Sequence, residues 1–311
     1  MMRLLRLLKL PLLAPAFFLV QIAVPARSQD NSTFKLDVDV DLTELHVSVT
    51  DEQDRPVGNL GRENFRVFED SQEQTISIFK HEDLAVSIGL VVDNSRSMEP
   101  RKKRLDAAAL SFVQRGNPDD ETFVVHFDDR PKLTHDFTDN IPDLEHALRS
   151  TRPFGQTAIY DALILALEHM RRASHTKKIV LLITDGVDNS SHHTVDEAVE
   201  VAQRSGVAIY TVGLLSALDG QKAQETLRHL AETTGGRAYF PENVDQARIS
   251  MERVARDLRE QYLLAYFSSN PRNGAWRSIR LDIKLPPNLL LSTKLIANYR
   301  RGYYGPTVSN R

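Results

Sequence analysis

The chain predicts an α/β protein: a doubly wound, mostly parallel sheet with helices on both faces, flanked by a β-sandwich-like unit drawn from both ends of the sequence. Three observations predict it. Between residues 86 and 241, four continuous apolar runs of strand length occur. Between those runs, apolar residues recur at helical spacing. Outside that block, on both sides, apolar and polar residues alternate with period two. A run apolar at every position suits a strand covered on both faces, whereas period two marks a strand with one wet face.

The elements follow in order. In the N-terminal β segment, 34–83, Val38 and Val40 alternate with Asp37, Asp39 and Asp41, which read as the solvated face of an outer strand. Leu45, Val47 and Val49 then alternate with His46, Ser48 and Thr50, and a polar turn covers Asp51 to Pro56. Phe65–Phe68 and Ile76–Phe79 supply two more short strands. The α/β block, 86–241, opens with a strand at Ser87–Val92, followed by a helix carrying Leu105, Ala108, Ala109, Phe112 and Val113. Thr122–Phe127 is the second buried strand, Ile159–Met170 an amphipathic helix and Ile179–Thr184 the third strand. Thr194 and Glu197 form a capping box whose helix stops at Gly206, and Val207–Val212 is the fourth strand. In the C-terminal part, 242–305, a helix near Asp245–Arg259 precedes strands at Tyr262–Tyr266, Ile279–Leu285 and about Leu289–Leu295. Neither flank alone has strands enough to cover a core, so the two are expected to pair in one sandwich, with the α/β unit inserted between them.

The chain has 311 residues, 41% hydrophobic and 26% charged, a globular composition sized for one medium domain and a small one. Its net charge of -3, with both signs interspersed, provides no basic field, so nucleic acid is not an expected partner. Residues 1–28 combine Arg3, Arg6 and Lys9 with an apolar stretch from Leu10 to Val24 and small residues at Ala26 and Ser28. This is the pattern of a secretory signal peptide cleaved before Gln29 or after Ala26, and the apolar run is short and proline-broken for a membrane anchor. No second stretch of spanning length follows, so no transmembrane segment is expected in the mature chain. Cysteine is absent, which excludes disulfides and thiolate metal sites; export without cysteine points to a bacterial protein, periplasmic or secreted.

Three segments follow or precede the buried elements in a way that a doubly wound sheet brings to one edge, outside the carboxyl ends of its strands. Asp93-Asn94-Ser95-Arg96-Ser97 follows the first strand, Gly155-Gln156-Thr157 precedes a helix, and Asp185-Gly186 follows the third strand. Together they offer two carboxylates and three hydroxyls, hard oxygen donors suited to Mg²⁺, Mn²⁺ or Ca²⁺. With few carboxylates in the set, the ion stays electron-poor and gains by accepting a carboxylate from a partner.

Asp93-x-Ser95-x-Ser97, Thr157, and Asp185 within Thr184-Asp185-Gly186 resemble the metal-ion-dependent adhesion site of von Willebrand factor A domains in order, approximate spacing and strand–helix context. Arg204–Gly213 and Leu230–Phe240 resemble the same family's fourth-strand region and its last helix and strand; the likeness covers about half of the chain. The resemblance implies that Ser95 and Ser97 bind the ion directly, Thr157 directly in a high-affinity state, and Asp93 and Asp185 mainly through water. It implies an exported adhesion or assembly module whose protein partner presents Asp or Glu to the ion. Gln156 departs from the family's frequent glycine without touching the ion. Val47–Asp70 resembles the N-terminal part of a bacterial, acidobacteria-type group of exported proteins related to von Willebrand factor A.

Two other readings compete. In one, the chain is a structural envelope protein whose metal site is vestigial or only stabilising. In the other, Mg²⁺ serves a hydrolase, but no phosphate-cradling glycine loop, no lysine in a phosphate-binding context and no motif-placed histidine accompany Asp93, so no catalysis is expected. Arg101-Lys102-Lys103-Arg104 reads as a solvated basic face and His192-His193 as a solvated loop whose adjacent rings point apart. Asp188 and Asn189 are expected to shape the partner surface, and Trp276, Tyr303 and Tyr304 to pack in the sandwich or at its edge.

Overall fold

The computed structural model of the chain describes residues 42–215, 220–285 and 294–307. The signal-peptide segment, the strand expected around Val38 and Val40, and most of the strand expected at Leu289–Leu295 lie outside the described residues. The chain begins with β1 (Leu42–Thr50), β2 (Phe65–Glu69), β3 (Gln72–Gln74) and β4 (Ile76–His81). The α/β part follows as β5 (Val86–Asp93), α1 (Lys102–Gln114), β6 (Glu121–Phe127), β7 (Lys132–Thr138), α2 (Ile141–Arg149), α3 (Ile159–His169) and β8 (Lys177–Thr184). It continues through α4 (Val195–Ser205), β9 (Ala208–Gly213), α5 (Gly220–Thr234), β10 (Ala238–Tyr239) and α6 (Val244–Arg259). The chain then enters β11 (Tyr262–Phe267), β12 (Trp276–Ile283), β13 (Ile296–Asn298) and β14 (Gly302–Tyr304).

The central sheet runs β10-β9-β8-β5-β6-β7, parallel except for the antiparallel β6–β7 pair at one edge. The continuous apolar runs explain it. All eight residues of β5 are buried, with Val86, Ile88, Leu90 and Val92 packed on α1, α2 and α6, and Val91 on the opposite side with α3, α4 and α5. Gly89 makes room for a neighbour: a Cβ there would stand 2.6 Å from the ring of Phe123. Thr194 accepts from the Glu197 amide while the Glu197 carboxylate accepts from the Thr194 amide, so the capping box expected from sequence opens α4, and Gly206, in the left-handed region at φ 67°, closes it.

Two four-stranded antiparallel sheets, β13-β1-β11-β4 and β14-β12-β2-β3, share one apolar core that includes Leu45, Val47, Phe65, Val67, Tyr262 and Leu281. Both sheets draw strands from both flanks. The chain leaves after β4 and returns in β11, which lies beside β4. The third C-terminal strand is β13, starting at Ile296 and pairing with Ser48–Thr50 of β1. No helix among the described residues is long and apolar enough to cross a membrane.

Candidate metal centre

Four segments meet at the carboxyl end of the central sheet. β5 delivers Asp93 at its last position, and a single 3-10 turn, Arg96–Met98, carries Ser97 while Met98 is buried beneath it. The loop before α3 delivers Thr157, and β8 ends at Thr184, directly before Asp185. The Asn94 amide donates to the Phe127 carbonyl, its side-chain amide donates to the Arg152 carbonyl, and the Phe154 amide donates to the Asn94 carbonyl. This ties the first loop to the third. The third loop turns at Gly155, where φ is 73°, in the left-handed region that favours glycine, and a Cβ would press on the Asp129 carboxylate.

The side chains expected from sequence converge. The Ser95 amide donates to Asp93 Oδ1 at 2.8 Å, and Thr184 Oγ1 donates to Asp93 Oδ2 at 2.6 Å. Ser95 Oγ and Ser97 Oγ lie 3.0 Å apart, and Ser97 Oγ donates to Asp185 Oδ1 at 2.8 Å. Thr157 is joined to the fourth loop in both directions: its amide donates to Asn189 Oδ1 at 2.9 Å and its carbonyl accepts from the Asn189 amide at 3.0 Å. Its hydroxyl lies beside Gly186, 3.5 Å from where a Cβ would stand. Asp93, Ser95, Thr157 and Asp185 are buried, and Ser97 is exposed.

The donor set fits a small hard cation. Oxygens on Ser95, Ser97 and Asp185 are spaced 2.8 to 3.0 Å apart, and neighbouring oxygens around six-coordinate Mg²⁺, each at about 2.1 Å, lie about 3.0 Å apart. Among the described residues, no group of three or more His, Cys, Asp or Glu is placed to hold a metal, so the hydroxyls are what make this set complete. Burial, with the Asp185 charge adding to it, pushes the Asp93 carboxyl up to about 6 against the pull of its hydrogen bonds.

Several groups here escaped the sequence reading. Arg101, taken for part of a solvated basic face, is ion-paired to Asp185 Oδ2. Its neighbour Lys102 is buried, with Nζ donating to Asp106 Oδ1 at 3.0 Å and to the Leu148 carbonyl at 3.1 Å. Of that run, only Lys103 stays in water without a partner among the described residues; Arg104 pairs with Asp245. Asp188 and Asn189 serve the protein first: Asp188 Oδ2 accepts from the Ile159 and Tyr160 amides and so caps α3. His192 and His193 do not point apart, since both Nδ1 atoms bond the Asp161 carboxylate, at 3.0 and 2.8 Å. Phe154 (61% exposed) and Val187 (42% exposed) stand on two of the converging loops. Exposure of apolar side chains is invisible in sequence without the fold.

Residues 88–187, a stretch that contains all five of these side chains, match the family model of the von Willebrand factor type A domain. The α/β part of the chain has the fold of such a domain, a mostly parallel sheet flanked by helices. No curated protein matches the chain in sequence. A solved von Willebrand factor type A protein from Catenulispora acidiphila is 14% identical, with 79% of this chain and 74% of that one covered and a TM-score of 0.50. Proximal thread matrix protein 1 from the mussel byssus is 23% identical over 60% of this chain, with a TM-score of 0.48; the match spans about half of the mussel protein, 49%. The vWF domain of the type V pili tip protein Mfa5 from Porphyromonas gingivalis is 15% identical, with 56% of this chain and 95% of that one covered and a TM-score of 0.48. At 14% identity the likeness to the Catenulispora acidiphila protein is one of fold.

Proposed function

We propose that Asp93, Ser95, Ser97, Thr157 and Asp185 hold one divalent cation, Mg²⁺ or in its place Mn²⁺ or Ca²⁺, and that a protein partner supplies an Asp or Glu to it. The chain is then an exported bacterial adhesion or assembly module, periplasmic or secreted, and not an enzyme. The observation that carries the reading is the 2.8 to 3.0 Å spacing of Ser95, Ser97 and Asp185 oxygens above a buried Asp93. When bound, the cation supplies an electron-poor centre for an acidic side chain. Ser97 stands at the surface end of the set, and exposed Phe154 and Val187 offer apolar contact beside it. None of the five side chains is hydrogen-bonded to a histidine or lysine among the described residues.

One observation favours the rival reading, a structural envelope protein whose site is closed or merely stabilising: Arg101 already neutralises Asp185. Calorimetric titration of Mg²⁺ and Mn²⁺ into the metal-stripped protein separates the two. Saturable one-site binding, lost in Asp93→Ala and weakened in Thr157→Ala, supports the binding module and directs a chelator-sensitive search for acidic partners. Absence of binding in the unaltered protein sinks it and leaves the structural role.

A further inference from the structure

A second site lies at the other end of the sheet. Lys177 opens β8, whose far end leads into Asp185, so eight residues, or about 25 Å, separate the two regions. Around Lys177 is a cavity of about 410 Å³ where the first residues of β8 and β9 meet β1 of the sandwich and Arg300. Three cations, Lys177, Lys178 and Arg300, line it, against one carboxylate, Glu44.

Two of these cations are poorly matched by the protein. Lys177 is buried (4% exposed), and its Nζ donates to the Leu258 carbonyl in the last turn of α6. Arg300 Nη2 donates to the Glu44 carbonyl at 2.6 Å, and its Nε is buried without a partner. Neither forms an ion pair among the described residues. An ammonium has three donors and a guanidinium five, so one backbone carbonyl each leaves most of that capacity unused. Carboxylates act on both only from beyond contact, Asp257, Asp83 and Asp120 on Lys177 and Glu44 and Glu69 on Arg300, and burial outweighs them, a cost that a bound anion relieves. The two fields converge: His46, on the cavity wall, is pushed down to about 3, by burial first and then by the charges of Lys177 and Arg300.

The hydrogen bonds narrow the ligand further. Tyr210 spends its one proton on Asp257 Oδ2 at 2.7 Å, so it must accept from Gln261 Nε2 at 3.1 Å. That fixes the orientation of the Gln261 amide and leaves Oε1 as a buried acceptor with no partner. Gln261 lines the same cavity. Cations together with an unfilled acceptor suit an oxyanion that also carries a hydroxyl. Hydrogen phosphate carries one near neutral pH, a phosphate monoester carries one only as its monoanion, and sulfate carries none.

We propose that this cavity is a binding site for a small phosphate-bearing ligand, held by Lys177 and Arg300 with Gln261 Oε1 accepting from the phosphate hydroxyl. Leu42, Ile179 and Ala208 supply apolar wall on which an ester substituent can lie. The site does not use the cation proposed at the opposite edge. The burial that pushes the Lys177 ammonium down to about 7 is what a bound anion would counter.

The test is calorimetric titration of inorganic phosphate, sulfate and phenyl phosphate into the metal-stripped full chain at neutral pH. One-site phosphate binding is expected, with sulfate about tenfold weaker, equivalent to about 1.4 kcal/mol. Arg300→Gln and Lys177→Met should each weaken phosphate about tenfold or more. Since Lys177 also caps α6, its variant is read beside Gln261→Met, which should bring phosphate and sulfate to equal affinity. Asp93→Ala should bind phosphate as the unaltered protein does, which separates this site from the metal centre. Tighter binding of phenyl phosphate than of phosphate identifies an ester ligand, and no gain identifies the free ion. Absence of saturable phosphate binding, or binding that ignores Arg300→Gln and does not distinguish sulfate, overturns the proposal.

Discussion

Asp93 has an ionised carboxylate at a position with 0% exposure. Its folded-state value of about 6 exceeds the ordinary 3.8, so at pH 7 the charge costs stability that the unfolded chain does not lose. Asparagine fits the same bonds, with Oδ1 accepting from the Ser95 amide and Nδ2 donating to Thr184 Oγ1. Asp93→Asn should therefore raise the stability of metal-free protein by about 1 to 2 kcal/mol in urea unfolding at pH 7, while abolishing stabilisation by Mg²⁺. A variant that loses stability without metal would show that the carboxylate is structural. Arg101 is the converse case. Its guanidinium is 40% exposed and neutralises an Asp185 side chain at 0% exposure, so it competes with any cation there. Arg101→Gln should tighten Mg²⁺ binding, by about tenfold if half of a typical charge-assisted bond is relieved. Unchanged affinity would mean that Arg101 swings aside at no cost.

Elements with strong periodicity were legible in sequence, and those without it were not. β5, β6, β8 and β9 are covered on both faces, so their runs are apolar throughout and stand out. β7, with sequence KLTHDFT, lies at the sheet edge with no residue fully buried, and neither period marks it. The nine-residue α2 buries only Leu144, Ala147 and Leu148, too few for a stripe. β12 begins at Trp276, ahead of the expected Ile279, because Trp276 and Arg277 pair with Tyr304 and Tyr303 at the edge of the sheet. The five donors of the candidate site were legible because each lies next to an element boundary, whereas Arg101 lies one turn into a basic run that resembles ordinary surface. The sandwich also hides a charged centre. Arg277 (2% exposed) donates to Tyr303 Oη at 3.0 Å and lies 3.6 Å from Glu69 (0% exposed), which accepts from Tyr266 and Tyr303 at 2.8 Å each. Removing one partner strands a buried charge, so Arg277→Leu should destabilise the protein by about 3 to 5 kcal/mol in denaturant unfolding. A cost below about 1 kcal/mol would mean that Tyr266, Tyr303, Ser268 and Asn270 satisfy Glu69 without the guanidinium.

At the scale of the whole molecule, both structural units carry a half-buried or buried neutral histidine, and that sets an acid limit on the fold. His126 in β6 is 3% exposed, and Thr134 Oγ1 donates to the Val124 carbonyl, so the hydroxyl accepts from His126 Nδ1–H at 3.0 Å. That leaves Nε2 as a buried lone pair with no hydrogen-bond partner, and burial together with the Lys102 charge opposes a proton there, more than the nearby Leu148 carbonyl favours it. Burial accordingly holds His126 down at about 3, and His46 of the sandwich is held down at about 3 as well. Between the unfolded value of 6.5 and about 3, the unfolded chain binds these protons and the folded chain does not. Stability is therefore complete above 6.5 and falls as pH drops through that window. By pH 4.5 each histidine should have cost about 2 to 3 kcal/mol, with His126, the more buried, nearer the upper figure. Asp93 acts with the opposite sign over part of the range, so the informative quantity is a difference. His126→Asn keeps a donor for Thr134 but cannot titrate, and its loss of stability between pH 7 and 4.5 should be smaller than that of the unaltered protein by about 2 kcal/mol. Equal losses in urea unfolding would show that His126 takes up its proton in the folded state, through a rearrangement of β6 that gives Nε2 a partner.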